Sequence, residues 1–450
     1  ASDVYKRQEI MSTSGPLPLR EELAALLRRG VAYHHAGLSS EQRRIIEDAF
    51  RRGGVAVLHA TPTLAAGVNL PARLVVIEEY YRFEDGMRRP IPVFEYKQLS
   101  GRAGRPGYDD EGLSVIVAAR SDSPEEVASY YILGPVEEVR SRLGSPRGLR
   151  HALLSLLTRG PASIESIESF LGATLQSRQD PHGSLDRKAR RALSTLAEWG
   201  LVEERGSMYS LTVLGMEIAR LYLDPESVPI LERLSSRARS SSDEVLLYIV
   251  ASMPDTPRLR AARREQERLV DLVIERYPDI LDLVDAFGPE EASIVKTMHL
   301  LHLWIMEETE DKILQETGAG PGDVRSITET ASWVSSSLSR IAPLVGAAGL
   351  SDSFRLISQR LKYGVKPELL PLVSIPEVGR VRARRLYDAG FRTLHDLARA
   401  SPEELLRIQG LGPSTVRSIL ETLGRSEEAG RLEGLKEPRR GRGLEAFLDL

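Results

Sequence analysis

The segment Gln98-Leu-Ser-Gly-Arg-Ala-Gly-Arg-Pro-Gly107 places two arginines three residues apart in a glycine-rich stretch. Arginine forms bidentate hydrogen bonds to phosphate oxygens, and a glycine lets the backbone approach such a group closely. Arg102 and Arg105 are therefore candidates to stabilise the charge on a phosphoryl group during its transfer. Taken alone, the same residues could equally form a solvated basic turn.

Two further segments precede the arginine-rich one, namely Val31-Ala-Tyr-His-His-Ala-Gly-Leu38 and Ala60-Thr-Pro-Thr-Leu-Ala-Ala-Gly-Val-Asn-Leu-Pro-Ala72. Taken in order, the three segments closely resemble motifs IV, V and VI of superfamily 2 helicases, in the form used by the Ski-like branch. Within that branch, the chain from about Gly15 to about Gly424 resembles the archaeal DNA repair helicases of the Hjm type, named for Holliday junction migration. The resemblance implies an ATP-dependent DNA helicase that moves 3′ to 5′ and unwinds forked or branched DNA in repair and replication restart.

The resemblance also implies roles for individual residues. A site for ATP and Mg²⁺ would take its catalytic residues from motif VI, namely Arg102, Arg105 and Gln98. Three residues of motifs V and VI would lie at the cofactor, namely Gly67, Asn69 and Gly101. The residues expected to contact DNA are spread along the chain: His34, His35, Thr61, Thr63, Tyr81, Phe83, Arg325, Trp333, Gly379, Gly410 and Gly412. The two adjacent histidines have no third ligand in range, so we expect no metal site.

The composition is that of an ordinary globular chain. At 450 residues it is too long for one core and should form roughly three or four domains. No apolar run approaches the roughly 18 residues of a membrane span, and no secretory signal is visible. The absence of cysteine excludes disulfides and thiolate metal sites, and we expect a cytoplasmic protein. Because the net charge is −4, nucleic acid must be bound through local basic patches.

The sequence contains no Gly-Lys pair and therefore no P-loop of the form GxxxxGK[ST], and it contains no DExH box. In the resembled family both belong to the first RecA-like domain, which holds most of the nucleotide and the Mg²⁺. We therefore expect the chain to be a C-terminal fragment of a helicase, inactive as an ATPase by itself.

The expected fold is an α/β domain followed by mainly helical domains. The second RecA-like domain, truncated at its start, should occupy residues 1–133, followed by a winged helix (134–221), a helical ratchet bundle (222–365), a helix-hairpin-helix domain (366–424) and a flexible tail (425–450). A strand is expected at Val31–His34. Continuous apolar runs predict parallel strands covered on both faces at Val55–Leu58, Leu74–Ile77 and Leu113–Ala118.

The segment Tyr80–Val93 between motifs V and VI predicts a β-hairpin, with Asp85-Gly86 as its turn. In the resembled family a hairpin at this place separates the two strands of the duplex. Tyr81 and Phe83 are two residues apart and would share one face of a strand. The alternative is a surface loop that only connects the two motifs.

Two helices of the later domains carry candidate DNA contacts. In the winged helix, the second helix bears Lys188, Arg190 and Arg191, although in this family the module mostly braces the motor. In the bundle, the segment after Asp323 has an apolar stripe that extends to Val345 and leaves Trp333 outside it. Flanking arginines and serines on the polar face suit stacking on a base and contact with phosphates, as the resemblance to the family's ratchet helix implies for Arg325 and Trp333. The alternative is that Trp333 packs against a neighbouring domain.

The segments Ser374-Ile-Pro-Glu-Val-Gly-Arg380 and Arg407-Ile-Gln-Gly-Leu-Gly-Pro413 resemble helix-hairpin-helix elements, whose turns direct backbone N–H groups at phosphate. The first departs from the pattern at Pro376-Glu377. Nearby arginines would supply charge: Arg380, Arg382, Arg384 and Arg385. The end of the tail, Leu444-Glu-Ala-Phe-Leu448, weakly resembles a sliding-clamp-binding peptide.

The expected partners are single-stranded and forked DNA, together with a sliding clamp or a single-strand-binding protein at the tail, and we expect a monomer. Two alternatives stay open. One is a stand-alone DNA-binding module without enzymatic activity. The other is an RNA helicase of the same branch, although helix-hairpin-helix elements favour DNA.

Overall fold

The computed structural model describes residues 10, 17–35, 37–61, 70–84, 87–104, 109–180 and 183–432. The chain divides into two compact units, Ala1–Arg140 and Ser141–Leu450. Among the helices in these ranges, none combines the length and the apolar character needed to cross a bilayer.

The first unit begins with alternating helices and strands: α1 (Leu17–Arg28), β1 (Val31–His34), α2 (Ser40–Arg51) and β2 (Val57–Ala60). Helix α2 begins with a capping box, since the Ser39 hydroxyl accepts from the Gln42 N–H and the Gln42 side chain accepts from the Ser39 N–H. Strands β1 and β2 pair in parallel, with Val31 opposite Val57. The predicted parallel pairing is confirmed, and β2 begins at Val57 rather than at Val55.

The second part of this unit contains β3 (Leu74–Ile77), β4 (Tyr81–Glu84), β5 (Met87–Pro90), α3 (Val93–Ser100), β6 (Leu113–Ile116), α4 (Pro124–Val127) and a π-helical turn (Ala128–Ile132). Strands β3 and β6 pair in parallel, and β4 and β5 pair in antiparallel fashion with Tyr81 opposite Pro90. The hairpin predicted between the two motifs is therefore confirmed.

Within the described residues, the prediction that these parallel strands are covered on both faces is wrong. Leu74 and Val76 of β3 are each 50% exposed, and Leu113 of β6 is 61% exposed. The opposite face of β3 packs through Ile77 against residues of α3 and the π-helical turn. A run of apolar residues does not reveal whether one layer or two covers a strand.

The second unit begins with a winged helix: α5 (Pro146–Leu157), β7 (Ala162–Ser163), α6 (Ile164–Gly172), α7 (Leu175–Gln179), α8 (Ser184–Glu198), β8 (Val202–Arg205), β9 (Met208–Leu211) and α9 (Val213–Leu221). The three strands form an antiparallel sheet in the order β7-β9-β8. The predicted wing is present, and β7 is a third strand that the sequence pattern did not indicate.

A helical bundle follows: α10 (Ser227–Arg237), α11 (Asp243–Ser252), α12 (Gln266–Arg276), α13 (Pro289–Ile305), α14 (Glu310–Thr317), α15 (Pro321–Ile341) and α16 (Ser351–Tyr363). One hydrophobic cluster runs from Leu149 to Leu361, so the winged helix and the bundle share a core. Helix α15 ends at Ile341 before Pro343, and Val345 lies in a 3₁₀ turn. The predicted stripe therefore extends one turn too far, because proline cannot continue the helix.

The last domain contains α17 (Leu370–Val373), α18 (Arg380–Asp388), α19 (Leu394–Arg399), α20 (Pro402–Leu406), α21 (Pro413–Thr422) and α22 (Ser426–Arg431). Its hydrophobic cluster runs from Val365 to Leu432 and is separate from that of the bundle. Helix α22 lies in the segment expected to be flexible, but Ala429 and Leu432 are buried in this core. The folded domain therefore extends past residue 424, and residues 433–450 lie outside the described part of the chain.

The winged helix depends on a close approach at Gly215 of α9, where an added Cβ would lie 1.9 Å from the carbonyl oxygen of Leu201. We expect Gly215→Ala to destabilise the chain by about 1–3 kcal/mol, because backbone must move to admit the methyl group. Gly172→Ala is the matched control, since nothing lies within 4 Å of its added Cβ. Urea denaturation measures both variants, and equal midpoints would contradict the close packing.

Candidate nucleotide and nucleic-acid sites

The turn after α3 carries the residues predicted at a nucleotide site. Gln98 is exposed near the end of α3, Gly101 is its C-cap, and Arg102 is half-buried directly after it. The Ala72 N–H donates to the Arg102 carbonyl (2.9 Å), and the Gly104 N–H donates to the Ala72 carbonyl (2.8 Å). These two backbone bonds fasten the end of motif V to the arginine turn of motif VI.

Four predicted site residues lie outside the described ranges: Thr63, Gly67, Asn69 and Arg105. Thr61 is described and lies exposed directly after β2, where its N–H donates to the His34 carbonyl at 3.2 Å. The structure thus places Gln98, Gly101 and Arg102 at the end of α3 and in the turn after it, and the roles of all these residues stay predictions.

Helix α3 is held in place by a residue that sequence reasoning missed. Pro92 is the N-cap of α3 and offers no side-chain cap, but the Glu137 carboxylate accepts from the N–H groups of Val93 (2.5 Å) and Phe94 (2.9 Å). Burial opposes ionisation of this carboxyl, yet the N–H bonds prevail and its pKa lies below the ordinary value. Glu137 therefore anchors the helix that carries Gln98, and no local spacing could have indicated it.

The two histidines of motif IV have different environments. His34 is 4% exposed, and its Nε2 lies 3.0 Å from Glu47 of α2. Its ring therefore packs within this unit, and contact between His34 and DNA stays a prediction. His35 is only partly buried, accepts at Nδ1 from the Gly37 N–H and stacks on Tyr33. Burial lowers the pKa of His35, and the neighbouring His34 lowers it further.

The hairpin is tied to the body of the unit at its base. The hydroxyls of Tyr80 and Tyr81 both donate to the Asp122 carboxylate, the second at 2.9 Å. The bond from Tyr80 contributes most to holding the pKa of Asp122 below its ordinary value. The Arg88 guanidinium lies 4.2 Å from the centre of the Tyr81 ring. Tyr81 is thus already engaged at one end of the hairpin, and the Phe83 side chain lies outside the described residues.

Helix α15 presents one exposed stripe along its length, and its members are Arg325, Glu329, Trp333, Ser336 and Arg340. Trp333 is 38% exposed, which agrees with the outward position predicted from the sequence. Arg325 pairs with Glu329 at 2.9 Å, but both side chains are largely exposed, and such a pair contributes only about 0.3–0.5 kcal/mol. That pair would open readily for a phosphate.

Part of the polar face of α15 serves packing instead. The hydroxyls of Ser332 and Ser358 each donate to the carbonyl of the other residue at 2.8 Å, which joins α15 to α16. Arg340 pairs with Glu217 of α9 at 2.5 Å and so links the helix to the winged helix. The sequence pattern placed Ser332 and Arg340 on the polar face of α15; the Ser332 hydroxyl serves packing, whereas Arg340 stays exposed beside its ion pair.

The winged helix offers fewer basic contacts than predicted. Arg190 of α8 pairs with Glu168 of α6 at 2.5 Å, while Lys188 and Arg191 are exposed. Direct contact between this helix and DNA stays a prediction for Lys188 and Arg191.

The two turns of the helix-hairpin-helix domain have the same backbone conformation. Gly410 has a φ of 88°, and Glu377 takes the equivalent position with a φ of 65°. Gly379 and Gly412 are the N-caps of α18 and α21, and neither helix has a side-chain cap. Glu377 thus stands where the second turn has a glycine, and the conformation of the turn is kept. The left-handed backbone is unfavourable for Glu377 because this residue has a side chain.

The arginines beside these turns bind the protein itself. Arg382 donates to the carbonyls of Gly410 (3.1 Å) and Glu377 (2.7 Å), so one guanidinium joins both turns. Arg385 donates to the Gln409 carbonyl at 2.6 Å. Both side chains therefore brace the turns, and their contribution of charge to a phosphate site stays a prediction.

Comparison with known families identifies the class of domains in the chain. Residues 16–107 match the helicase conserved C-terminal domain, residues 244–364 match domain 4 of archaeal helicases, and residues 369–425 match a SAM-like helix-hairpin-helix tandem. These three matches agree with the α/β domain, the bundle and the last domain of the structure.

The chain is similar over nearly its whole length to curated archaeal proteins named ATP-dependent DNA helicase Hel308. It is 50% identical over 431 residues to the protein of Aeropyrum pernix, covering 95% of this chain and 58% of that relative. It is 39% identical over 421 residues to that of Pyrobaculum calidifontis (92% and 58%) and 36% identical over 440 residues to that of Pyrococcus abyssi (96% and 60%). The chain spans about three-fifths of the length of these relatives and resembles Hel308-type superfamily 2 helicases.

Glu377 provides a test of the turn geometry. We expect Glu377→Gly to stabilise the chain by about 1 kcal/mol, because a left-handed residue with a side chain costs about 1–2 kcal/mol. If the turn faces phosphate, the loss of the carboxylate should also tighten DNA binding. Glu377→Gln is the control, since it removes the charge but keeps the strain. Urea denaturation and salt-dependent DNA binding separate the effects, and a loss of stability in Glu377→Gly would contradict the geometry.

Proposed function

We propose that this chain is the C-terminal, DNA-gripping part of an ATP-dependent DNA helicase that moves 3′ to 5′ on forked or branched DNA, with an Hjm-type role in repair and replication restart. The observation that carries the proposal is the pair of backbone bonds between Ala72 and the turn at Arg102 and Gly104. A protein that only binds DNA has no need to join a motif V segment to an arginine turn. The name of the relatives supports the same activity.

The nucleotide site would be completed by this chain on one side only. Arg102 and Gln98 suit a phosphate-facing role because one is half-buried in a fixed turn and the other is exposed beside it. The described residues contain no group of three potential metal ligands, and the sequence has no P-loop lysine. ATP would supply the phosphoryl group for transfer, with Mg²⁺ held mainly by a first RecA-like domain. The residues of this chain would stabilise charge on that group.

The DNA strand would be gripped at two places in the second unit. Trp333 offers a π-face on the exposed stripe of α15, with Arg325 two turns away on the same side. The uncapped N-termini of α18 and α21 offer backbone N–H groups suited to phosphate, independent of sequence. In the first unit the hairpin would part the duplex. A clamp or single-strand-binding partner at the tail, and a monomeric state, complete the proposal.

The two alternatives differ in what the chain would bind. An RNA helicase would bind an RNA strand more tightly than a DNA strand of the same sequence. Competition between the two strands for the protein decides this. A stand-alone binding module would bind DNA but would gain no DNA-stimulated ATPase when a first RecA-like domain is placed before it.

We expect Trp333→Ala to weaken single-strand binding by about 1–3 kcal/mol, because stacking on one base is lost. The slope of log affinity against log salt should stay unchanged, since Trp333 carries no charge. Leu314→Ala, which truncates another exposed apolar side chain of the bundle, is the control and should bind normally. Fluorescence anisotropy at several salt concentrations measures both. A lower melting temperature with unchanged affinity of the folded protein would make Trp333 a packing residue.

The hairpin is tested through its anchor in a protein where a first RecA-like domain precedes this chain. We expect Asp122→Asn to reduce duplex unwinding at least roughly tenfold, because a misplaced hairpin no longer meets the junction. ATPase stimulated by single strands should largely persist. Glu126→Gln, which neutralises an exposed carboxylate nearby, should leave both activities intact. If unwinding and ATPase fall together in Asp122→Asn, the hairpin is only a connector.

A further inference from the structure

The helix-hairpin-helix domain and the bundle have separate hydrophobic cores. The core of the bundle ends at Leu361, and the core of the last domain begins at Val365. No shared apolar layer among the described residues therefore sets the angle between the two. The contacts that join them centre on the C-terminal end of α13, at Trp304 and Glu307.

Glu307 is the centre of an ionic cluster between the two domains. Its Oε1 accepts from the Lys366 N–H (3.0 Å) and from Arg384 Nη2 (2.8 Å), and its Oε2 accepts from Arg384 Nε (2.8 Å). Arg384 Nη2 also donates to Glu368 at 2.8 Å. The Glu307 side chain is only 14% exposed, so this fork is largely shielded from water. Arg384 is thus committed to two carboxylates.

The backbone of Glu307 supports the same interpretation. Its φ is 68°, a left-handed conformation that residues with a side chain rarely adopt. Such a residue persists when the surrounding contacts over-determine it, and it is found at clamps and switch regions. Here the ending of α13 requires this conformation, since the Glu308 N–H donates to the Leu303 carbonyl (3.1 Å), and it directs the Glu307 carboxylate at three donors of the other domain.

Trp304, one turn earlier, forms the second half of the joint. Its indole N–H donates to the Leu361 carbonyl at 2.7 Å, and the Arg380 guanidinium lies 4.3 Å from its ring centre. A Cβ on Gly364 would lie 2.5 Å from the Trp304 ring, so the connecting backbone runs directly against the indole. Arg380 Nη1 is buried without a hydrogen-bond partner, while the guanidinium lies over the Trp304 ring.

We propose that Glu307 and Arg384 form a latch that fixes the helix-hairpin-helix domain against the bundle. In this arrangement Arg384 is a positioning residue and does not bind phosphate. The latch holds the two turns of the last domain at a set distance from the exposed stripe of α15, so that both grip one strand. The part of the proposal that concerns DNA rests on the function proposed above, whereas the latch itself does not.

A fixed distance has a consequence for strand length. When two binding sites are rigidly joined, a strand that reaches both gains affinity through effective concentration, and this gain falls when the joint loosens. A short strand that occupies only one site gains nothing from the joint. The latch therefore affects long strands selectively, whereas a phosphate contact would affect short and long strands alike.

The latch can be tested directly because the native chain has no cysteine. Glu275→Cys in α12 and Glu403→Cys in α20 are exposed positions for a pair of fluorophores. Single-molecule energy transfer should show one narrow distribution, and Glu307→Gln should broaden or shift it. Asp352→Asn is the matched control, since it makes the same change of charge in an exposed ion pair of α16. A distribution unchanged by Glu307→Gln would overturn the latch.

Binding to oligo-dT of increasing length provides the second measurement. We expect Glu307→Gln and Arg384→Gln each to weaken binding of long strands roughly tenfold and to leave short strands unaffected. If Arg384→Gln weakens short and long strands equally while Glu307→Gln tightens both, Arg384 is a phosphate ligand and the proposal is wrong. Circular dichroism melting checks that the variants are folded. Should the native chain bind no DNA, the function proposed above fails, but the energy-transfer result still decides the latch.

Discussion

Helix α13 is buried on nearly every side, and the second unit depends on how its buried polar groups are paired. Lys296 is 9% exposed and reaches both carboxylate oxygens of Glu265, at 2.8 and 3.0 Å. Burial lowers the pKa of His299 to about 4, so its ring is neutral at physiological pH. A neutral ring has one donor and one acceptor, which suits Glu316 on one nitrogen and the Tyr277 hydroxyl on the other. Because unpaired buried polar groups are costly, these bonds dictate where the surrounding segments lie.

The same helix links the core to the surfaces that matter for function. Its C-terminal end places Trp304 and Glu307 at the joint with the last domain. Next to it in the bundle, α15 packs closely on α16 through the reciprocal bonds of Ser332 and Ser358. Since small side chains fill that interface, Trp333 is left on the outer face. The exposed stripe is thus a consequence of packing behind it.

The parts of the fold that follow from local spacing were predictable. Strand β1, the cap at Ser39 and the outward position of Trp333 each depend on residues a few positions apart. The contacts that the sequence did not predict join residues far apart in the chain. Glu137 caps a helix that begins 44 residues earlier, and Arg384 binds a carboxylate 77 residues away. No periodicity carries such information, because it arises only when distant segments meet.

Two residues of the same type can also have different roles, because their surroundings in the fold differ. The sequence alone does not show that difference. His34 and His35 are adjacent, yet successive side chains of a strand point to opposite faces, so one meets α2 and the other does not. In the same way, both faces of β3 carry apolar residues, with Leu74 and Val76 on the exposed face and Val75 and Ile77 on the packed face. Resemblance to a family carries a role to a position, but it cannot show whether the side chain is free to perform it.

The arginines of the last domain show why counting charges overstates a phosphate-binding surface. Arg382 and Arg385 donate to carbonyls, and Arg384 donates to carboxylates. Hydrogen bonds to charged groups contribute about 1.5–3 kcal/mol each, so these contacts fix the arginines in place and leave fewer of their N–H groups for a phosphate. The N-caps of α18 and α21 are Gly379 and Gly412, and neither supplies a side-chain cap to the N-terminal N–H groups. A grip that uses these N–H groups needs little net positive charge. It suits a chain whose net charge is −4 and the sequence-independent DNA binding proposed above.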